Sequence, residues 1–135
     1  MVKKAVKIFL VNDKNEFLLY LRDNKPEIPY PDYWDLIGGE IEKGETSLEA
    51  IQREIKEEIC IEAKSIALVG EVTVNKSLLN SCKSKVLLYK GSIYANPKDI
   101  KLTEGQKLEL FRLDELKSIK IIPEFLDFIL RNNVI

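Results

Sequence analysis

Three glutamates, Glu54, Glu57 and Glu58, stand at steps of three and one along a segment whose other residues read as a helix. At about 100° per residue they fall on one stripe, so their carboxylates crowd a small volume. Like charges at such spacing repel one another and weaken a helix, so something must offset them. Hard divalent cations take oxygen ligands, and Mg²⁺ favours a few carboxylates together with substrate phosphates. Zinc is not indicated, because the chain has no His and its two cysteines, Cys60 and Cys82, stand apart. The competing reading is a solvated acidic face, which is what most charge runs are.

The elements around these acids are arranged to hold them. Thr46 and Ser47 offer capping hydroxyls, and Glu49 lies three residues beyond Thr46, the spacing of a capping box. The pattern predicts a helix from Ser47 to about Glu58. Leu48, Ile51, Ile55 and Ile59 repeat at steps of three and four and are expected to be its buried face. Upstream, Gly38 and Gly39 permit a sharp turn and a close backbone approach to a ligand.

The stretch runs Gly39, five residues, Glu45, seven residues, Arg53-Glu54-Ile55, one residue, Glu57-Glu58, one residue, Ile61. It resembles the signature of the Nudix hydrolases over 23 of the 135 residues. One position departs: Cys60 stands where that family has glycine. The backbone after a helix often turns left-handed, and a residue with a Cβ costs about 1–2 kcal/mol there. No carboxylate is lost by the change.

The resemblance implies an α/β fold, an α/β/α sandwich with a mixed β-sheet, as one domain over residues 1–135. It implies hydrolysis of a pyrophosphate bond in a nucleoside diphosphate linked to another moiety, with Mg²⁺ or Mn²⁺ as cofactor. The expected metal shell is Glu54, Glu57 and Glu58, with the Gly38 carbonyl carried over from the family. Either Glu54 or Glu104 would take the proton of the attacking water. Arg53, in the catalytic set, is expected to pair with Glu45 and fix the loop against the helix. An arginine touches the substrate at the matching strand end of MutT-like members, which makes Arg22 a phosphate-clamp candidate; alone, it reads equally as an ion-pair partner.

Along the chain, Ala5 to Val11 and Glu16 to Arg22 read as a hairpin around the turn cluster Asn12 to Asn15. Asp23 to Tyr33 contains three prolines and reads as an irregular loop. Tyr33 and Trp34 follow as candidates to stack on a nucleobase, with the alternative that Trp34 anchors the loop to the core. Trp34 to Ile37 is a short strand leading into the glycines. Ser65 to Val74 and Ser84 to Tyr94 read as strands, with a hairpin loop over Asn75 to Lys83 that includes Leu78 and Leu79. Glu104 lies in a loop beside Gly105, ahead of a strand from Lys107 to Leu113 and a turn of helix at Asp114 to Leu116. Pro123 to Asn132 is a closing helix with Phe125, Phe128 and Ile129 as its apolar stripe.

The Glu104-Gly105-Gln106 segment tilts the substrate toward (deoxy)nucleoside triphosphates, as in MutT-like members. Ile121-Ile122 occupies the region where MutT-type proteins place an asparagine that reads oxidised guanine, so that specificity is unsupported. The alternatives are a non-catalytic nucleotide sensor, which all four surviving box glutamates disfavour, and an RNA 5′-pyrophosphohydrolase, which needs a basic strand-tracking surface. Net charge is −1 with acids and bases interspersed, so a small nucleotide is the expected partner and nucleic acid is not. A homodimer is left open. Too few cysteines for a disulfide framework, no apolar run of membrane-spanning length and no cleavable leader together predict a reduced, cytoplasmic protein.

Overall fold

The computed structural model describes residues 2–75 and 83–135. Seven strands form one mixed sheet: β1 (Val2–Val11), β2 (Phe17–Leu21), β3 (Trp34–Asp35), β4 (Ile37–Glu40), β5 (Lys64–Val74), β6 (Lys83–Ser92) and β7 (Lys107–Phe111). The main path runs β3-β2-β1-β6-β5, with β4 added to β1 and β7 to β2. β1 and β6 are parallel over ten residue pairs, Val2↔Lys83 to Val11↔Ser92, and the other pairings are antiparallel. The β1–β2 turn closes where the Asn12 side-chain carbonyl accepts the N–H groups of Lys14 and Glu16, at 3.0 and 2.9 Å.

Side chains alternate across a strand, and here the alternation sorts the core into two layers. Val6, Ile8 and Leu10 of β1 join Leu18 and Tyr20 of β2 under helix α1 (Ser47–Ile59). Phe9 and Val11 join Phe17 and Leu19 under helix α2 (Pro123–Arg131), where Phe9 and Phe128 stack at 5.8 Å. A helix on each face of a mixed sheet is the α/β/α sandwich that the family resemblance implied. No helix among the described residues is long and apolar enough to cross a membrane.

Helix α1 starts as its sequence dictates. Thr46 Oγ1 accepts the Glu49 N–H at 3.1 Å, and Glu49 Oε1 accepts the Thr46 N–H at 2.9 Å, a complete capping box. Its buried face differs from expectation at one point. Ile51, Ile55 and Ile59 are buried, but Leu48 is 43% exposed, because burial begins only with Ala50. The strand over Glu16 to Arg22 is shorter than expected, so Arg22 lies one residue past the end of β2. The turn after β7 is a 3-10 segment over Leu113–Ser118. Leu78, Leu79 and Cys82 of the expected hairpin loop lie outside the described residues.

Cys60 ends α1 in the left-handed region at φ 53°, with its N–H donating to the Ile55 carbonyl at 3.2 Å. The thiol is free and exposed. The backbone therefore keeps the conformation suited to glycine and carries the Cβ regardless. Replacing Cys60→Gly is expected to stabilise the protein by about 1 kcal/mol, the left-handed penalty less the added freedom of the unfolded chain. Urea denaturation measures this, and an unchanged or lower midpoint contradicts it.

Candidate functional site

Distance round the helix from its buried face grades the three acids of α1. Counting from Ile51, Glu58 lies roughly 20° away, Glu54 roughly 60° and Glu57 roughly 120°. Burial follows that order: Glu58 is 8% exposed, the Glu54 side chain 12% and the Glu57 side chain 59%. Glu58 Oε2 accepts the Gly38 N–H at 3.4 Å, and its carboxyl lies close enough to that of Glu54 to feel its charge. Burial pushes the Glu58 carboxyl up to about 8; the Lys7 ammonium pulls it down, and the neighbouring Glu54 carboxylate raises it again.

The two glycines fit against this pair. Gly38 has φ +150°, and a Cβ there would meet the Val6 carbonyl oxygen at 2.0 Å. A Cβ on Gly39 would meet Glu54 Oε1 at 2.5 Å, so the Glu54 carboxylate lies flat on the bare backbone of β4.

Arg53 holds the acids from the other side. Its Nε and Nη2 donate to the two carboxylate oxygens of Glu45 at 2.7 and 3.0 Å, a bidentate contact. Nη2 also donates to the Glu40 carbonyl at 3.0 Å, while Nη1 donates to Glu54 at 2.8 Å and to Glu57 at 3.2 Å. These five bonds use all five N–H groups of the guanidinium. Hydrogen bonding from Arg53, then from the Glu42 N–H, lowers the Glu45 carboxyl below its ordinary value. The expected Arg53–Glu45 pair is thus present, and Arg53 also positions Glu54. With every donor engaged, it has none left for a substrate.

The expected convergence of three carboxylates is not formed as it stands. Among the described residues no three acidic, histidine or cysteine side chains come together closely enough to hold a metal ion. Arg53 draws Glu57 away, while Glu54 and Glu58 remain together. Those two still suit a hard divalent cation. They are all-oxygen donors pressed together in a largely buried recess, where burial raises the Glu58 carboxyl above its ordinary value.

Period-two alternation also decides which residues of β3 face the site. Trp34 and Asp35 are consecutive and point to opposite sides of the sheet. Trp34 is 8% exposed and belongs to the α2-side core, with its ring edge-on to Phe111 at 4.8 Å. Tyr33 packs against the same core and against Tyr30 at 5.1 Å. The structure does not bring these two aromatics to the carboxylates; Trp34 takes the anchoring role.

Asp35, which sequence reasoning passed over, is 1% exposed and stands on the site side. Its Oδ2 accepts from Arg22 Nη1 at 2.9 Å, Lys7 Nζ at 3.1 Å and the Tyr20 hydroxyl at 3.1 Å. Its Oδ1 accepts the Leu36 N–H at 2.7 Å. Four donors saturate a carboxylate, and stranding the two cations by removing it would cost about 3–5 kcal/mol. Burial and the Asp35 charge raise the Tyr20 hydroxyl well above its ordinary value, so it remains a donor. The available signal for Asp35 was its register opposite Tyr20, one residue off Trp34.

Arg22 and Glu104, remote in sequence, line one cleft of about 420 Å³ together with Tyr20, Lys25 and Thr103. Thr103 ties this cleft to α1. Its N–H donates to the Glu58 carbonyl at 3.2 Å, and its hydroxyl donates to the Glu57 carbonyl at 3.2 Å. Gln106 holds the opposite wall, its side-chain N–H₂ donating to the Arg22 carbonyl and to Asp32, both at 2.7 Å. Glu104 itself is exposed and makes no hydrogen bond or ion pair among the described residues. A larger depression of about 870 Å³ is lined by Lys14, Arg112, Lys117 and the C-terminal residues; no box acid lines it or the smaller cleft, but the smaller cleft is tied to α1 through Thr103.

Residues 1–129 match the family model for the NUDIX domain. A Nudix hydrolase of Listeria innocua is 42% identical over 56 residues, which are 41% of this chain and 32% of that protein. The dihydroneopterin triphosphate diphosphatase of Escherichia coli is 35% identical over 70 residues, 50% of this chain and 43% of that protein. The matched stretches thus span less than half of either relative. The crystal structure of a MutT protein from Methanosarcina mazei is similar with a TM-score of 0.80 at 27% identity, covering 96% of this chain and 91% of that one.

The raised Glu58 carboxyl predicts a pH dependence with a definite sign. Between its ordinary value near 4.5 and about 8, the unfolded chain has released this proton and the metal-free native state has not. The native state binds more protons there, so stability falls as pH rises through that window. Without metal, the melting temperature should drop from pH 5 to pH 8, and Glu58→Gln should flatten the drop. Equal slopes in wild type and variant would contradict the assignment.

Proposed function

The chain belongs to the Nudix family, and from that premise we propose that it is a divalent-metal-dependent pyrophosphohydrolase acting on nucleoside triphosphates or related nucleotides. The observation that carries the reading is the single cleft in which Arg22 and Glu104 meet, with its Thr103 wall hydrogen-bonded to the last turn of α1 beside Glu57 and Glu58. Hydrolysing a phosphoanhydride needs positive charge against the phosphoryl oxygens, a site for a cation and a base for water, and these residues supply all three.

In this reading Glu54 and Glu58 hold the Mg²⁺ or Mn²⁺ ion, joined by Glu57 and the Gly38 carbonyl. The bound ion withdraws charge from phosphoryl oxygens and acidifies water. Arg53 fixes the orientation of Glu54 and takes no part in binding the substrate. Arg22 donates its Nε to the Pro29 carbonyl at 2.9 Å and its Nη1 to Asp35 and Tyr20. Its Nη2 has no partner among the described residues and is not sealed from solvent, since no buried polar side-chain atom among them lacks a partner. That open edge suits a phosphoryl oxygen.

Glu104 is the better placed of the two base candidates. It is unengaged among the described residues, whereas Glu54 already accepts from Arg53 Nη1 at 2.8 Å. The name of the Escherichia coli relative, a triphosphate diphosphatase, supports a triphosphate as substrate. Family membership and the retention of all four box glutamates, Glu45, Glu54, Glu57 and Glu58, support an enzyme in preference to a sensor.

Replacing Glu104→Gln should lower kcat by about 10²–10⁴-fold with Mg²⁺ saturating, the range of a lost general base. Replacing Glu54→Gln should lower kcat and also weaken Mg²⁺ activation. Steady-state assays on nucleoside triphosphates with varied Mg²⁺ measure both. Glu104→Gln within twofold of wild type returns the base to Glu54; both variants within twofold, or wild-type activity undiminished by EDTA, defeat the proposal.

A further inference from the structure

Every aromatic ring of this chain can be accounted for, and none presents a face to the cleft. The chain has five Tyr, five Phe and one Trp. The five Phe are buried in the α2-side core, as is Trp34, which has Phe111 on one side and Lys107 Nζ 5.7 Å from its ring centre. Tyr30 and Tyr33 pack on each other and on that core, and Lys120 Nζ lies 6.0 Å from the Tyr33 ring. Tyr89 is 5% exposed on the α1 side, with its hydroxyl bonded to Ser47. Tyr94 is 75% exposed but lines a different depression, beside Asn12 and Asn96.

Tyr20 alone lines the cleft, and its ring is already covered. It is 7% exposed, with Lys7 Nζ 5.7 Å from the ring centre. Gly105 lies so close that a Cβ there would meet Tyr20 Cδ2 at 2.7 Å. The open surface of the cleft is charged: Arg22 with its free Nη2 edge, Lys25, Asp23 and Glu104, relieved by Ile28.

A cleft with the cationic donors of Arg22 and Lys25 and with its one ring, Tyr20, already covered reads phosphate charge and leaves a heterocycle little to stack on. Stacking on an aromatic side chain is worth about 5- to 150-fold in affinity per base, and this site forgoes it. We propose that the enzyme selects its substrate by the triphosphate and is indifferent to the base, so that purine, pyrimidine and base-less triphosphates are all turned over. The inference rests on the pyrophosphohydrolase reading above and narrows it to triphosphate-bearing substrates as a class. Dinucleoside diphosphates and ADP-ribose, with fewer charges and two groups to seat, are correspondingly poor.

The test is kcat/KM with Mg²⁺ for ATP, GTP, CTP and UTP, a base-less deoxyribose triphosphate and ADP-ribose. The four nucleotides are expected within about fivefold of one another, the base-less compound within about tenfold of them, and ADP-ribose at least 30-fold lower. Replacing Lys25→Ala should lower all the triphosphates by one common factor. Replacing Ile28→Tyr, which adds a ring at the cleft, should create a purine preference absent from wild type. A preference above 100-fold for one base, loss of the base-less substrate, or ADP-ribose as the best substrate overturns base indifference while leaving the pyrophosphohydrolase reading intact. No turnover of any anhydride with Mg²⁺ or Mn²⁺ overturns that reading instead, and this inference with it.

Discussion

The site depends on an excess of negative charge that the helix cannot hold alone. Arg53 neutralises one side of the acidic stripe with five hydrogen bonds, two to Glu45, one to Glu54, one to Glu57 and one to the Glu40 carbonyl. It spans the box loop, the end of β4 and α1, and the loop geometry and the carboxylate geometry are therefore one structure. The inner side of the stripe has no equivalent partner. Glu58 and Glu54 meet there over bare glycine backbone, with Lys7 acting only at a distance on Glu58. In the proposed function a divalent ion would supply the positive charge that the inner side lacks.

A second charge centre lies next to the first. Asp35 sits between Lys7 and Arg22, and it leaves Nη2 of Arg22, a residue that lines the cleft, without a partner among the described residues. The two arginines near the site thus differ in kind. Arg53 has spent every donor on the protein, whereas Arg22 is held by two of its three nitrogens and keeps the third open. Such a fork, fixed at its base and free at its tip, costs little entropy to engage an oxyanion.

What could be read from the residues alone was local. The capping box and the buried isoleucines depend on spacings within one short stretch, where helix geometry converts sequence into position; the left-handed turn at Cys60 and the Arg53–Glu45 pair were implied by the family resemblance. Leu48 shows the limit of that logic: its place on the helical wheel is a buried one, yet the sheet covers the helix only from Ala50. The rest of the site is made of contacts distant in sequence. Lys7 meets Asp35 across 28 positions, Gln106 holds the Arg22 carbonyl across 84, and Thr103 caps α1 across 46. No periodicity encodes such pairs. Trp34 and Asp35 differ by a single step in a strand, and that step exchanged a core anchor for the residue that organises the cleft.

The central claim is that Glu54 and Glu58 together would hold a divalent ion, which would supply the positive charge that the buried Glu58 carboxyl lacks. The most direct measurement is anomalous diffraction at the manganese edge from crystals grown with Mn²⁺ and a non-hydrolysable nucleoside triphosphate analogue. The account predicts a peak within coordination distance of both carboxylates, about 2.0–2.3 Å for a hard oxygen-ligated ion, with a phosphoryl oxygen completing the shell and Arg22 on the polyphosphate. Manganese bound elsewhere, with neither Glu54 nor Glu58 coordinating it beside bound nucleotide, would contradict it.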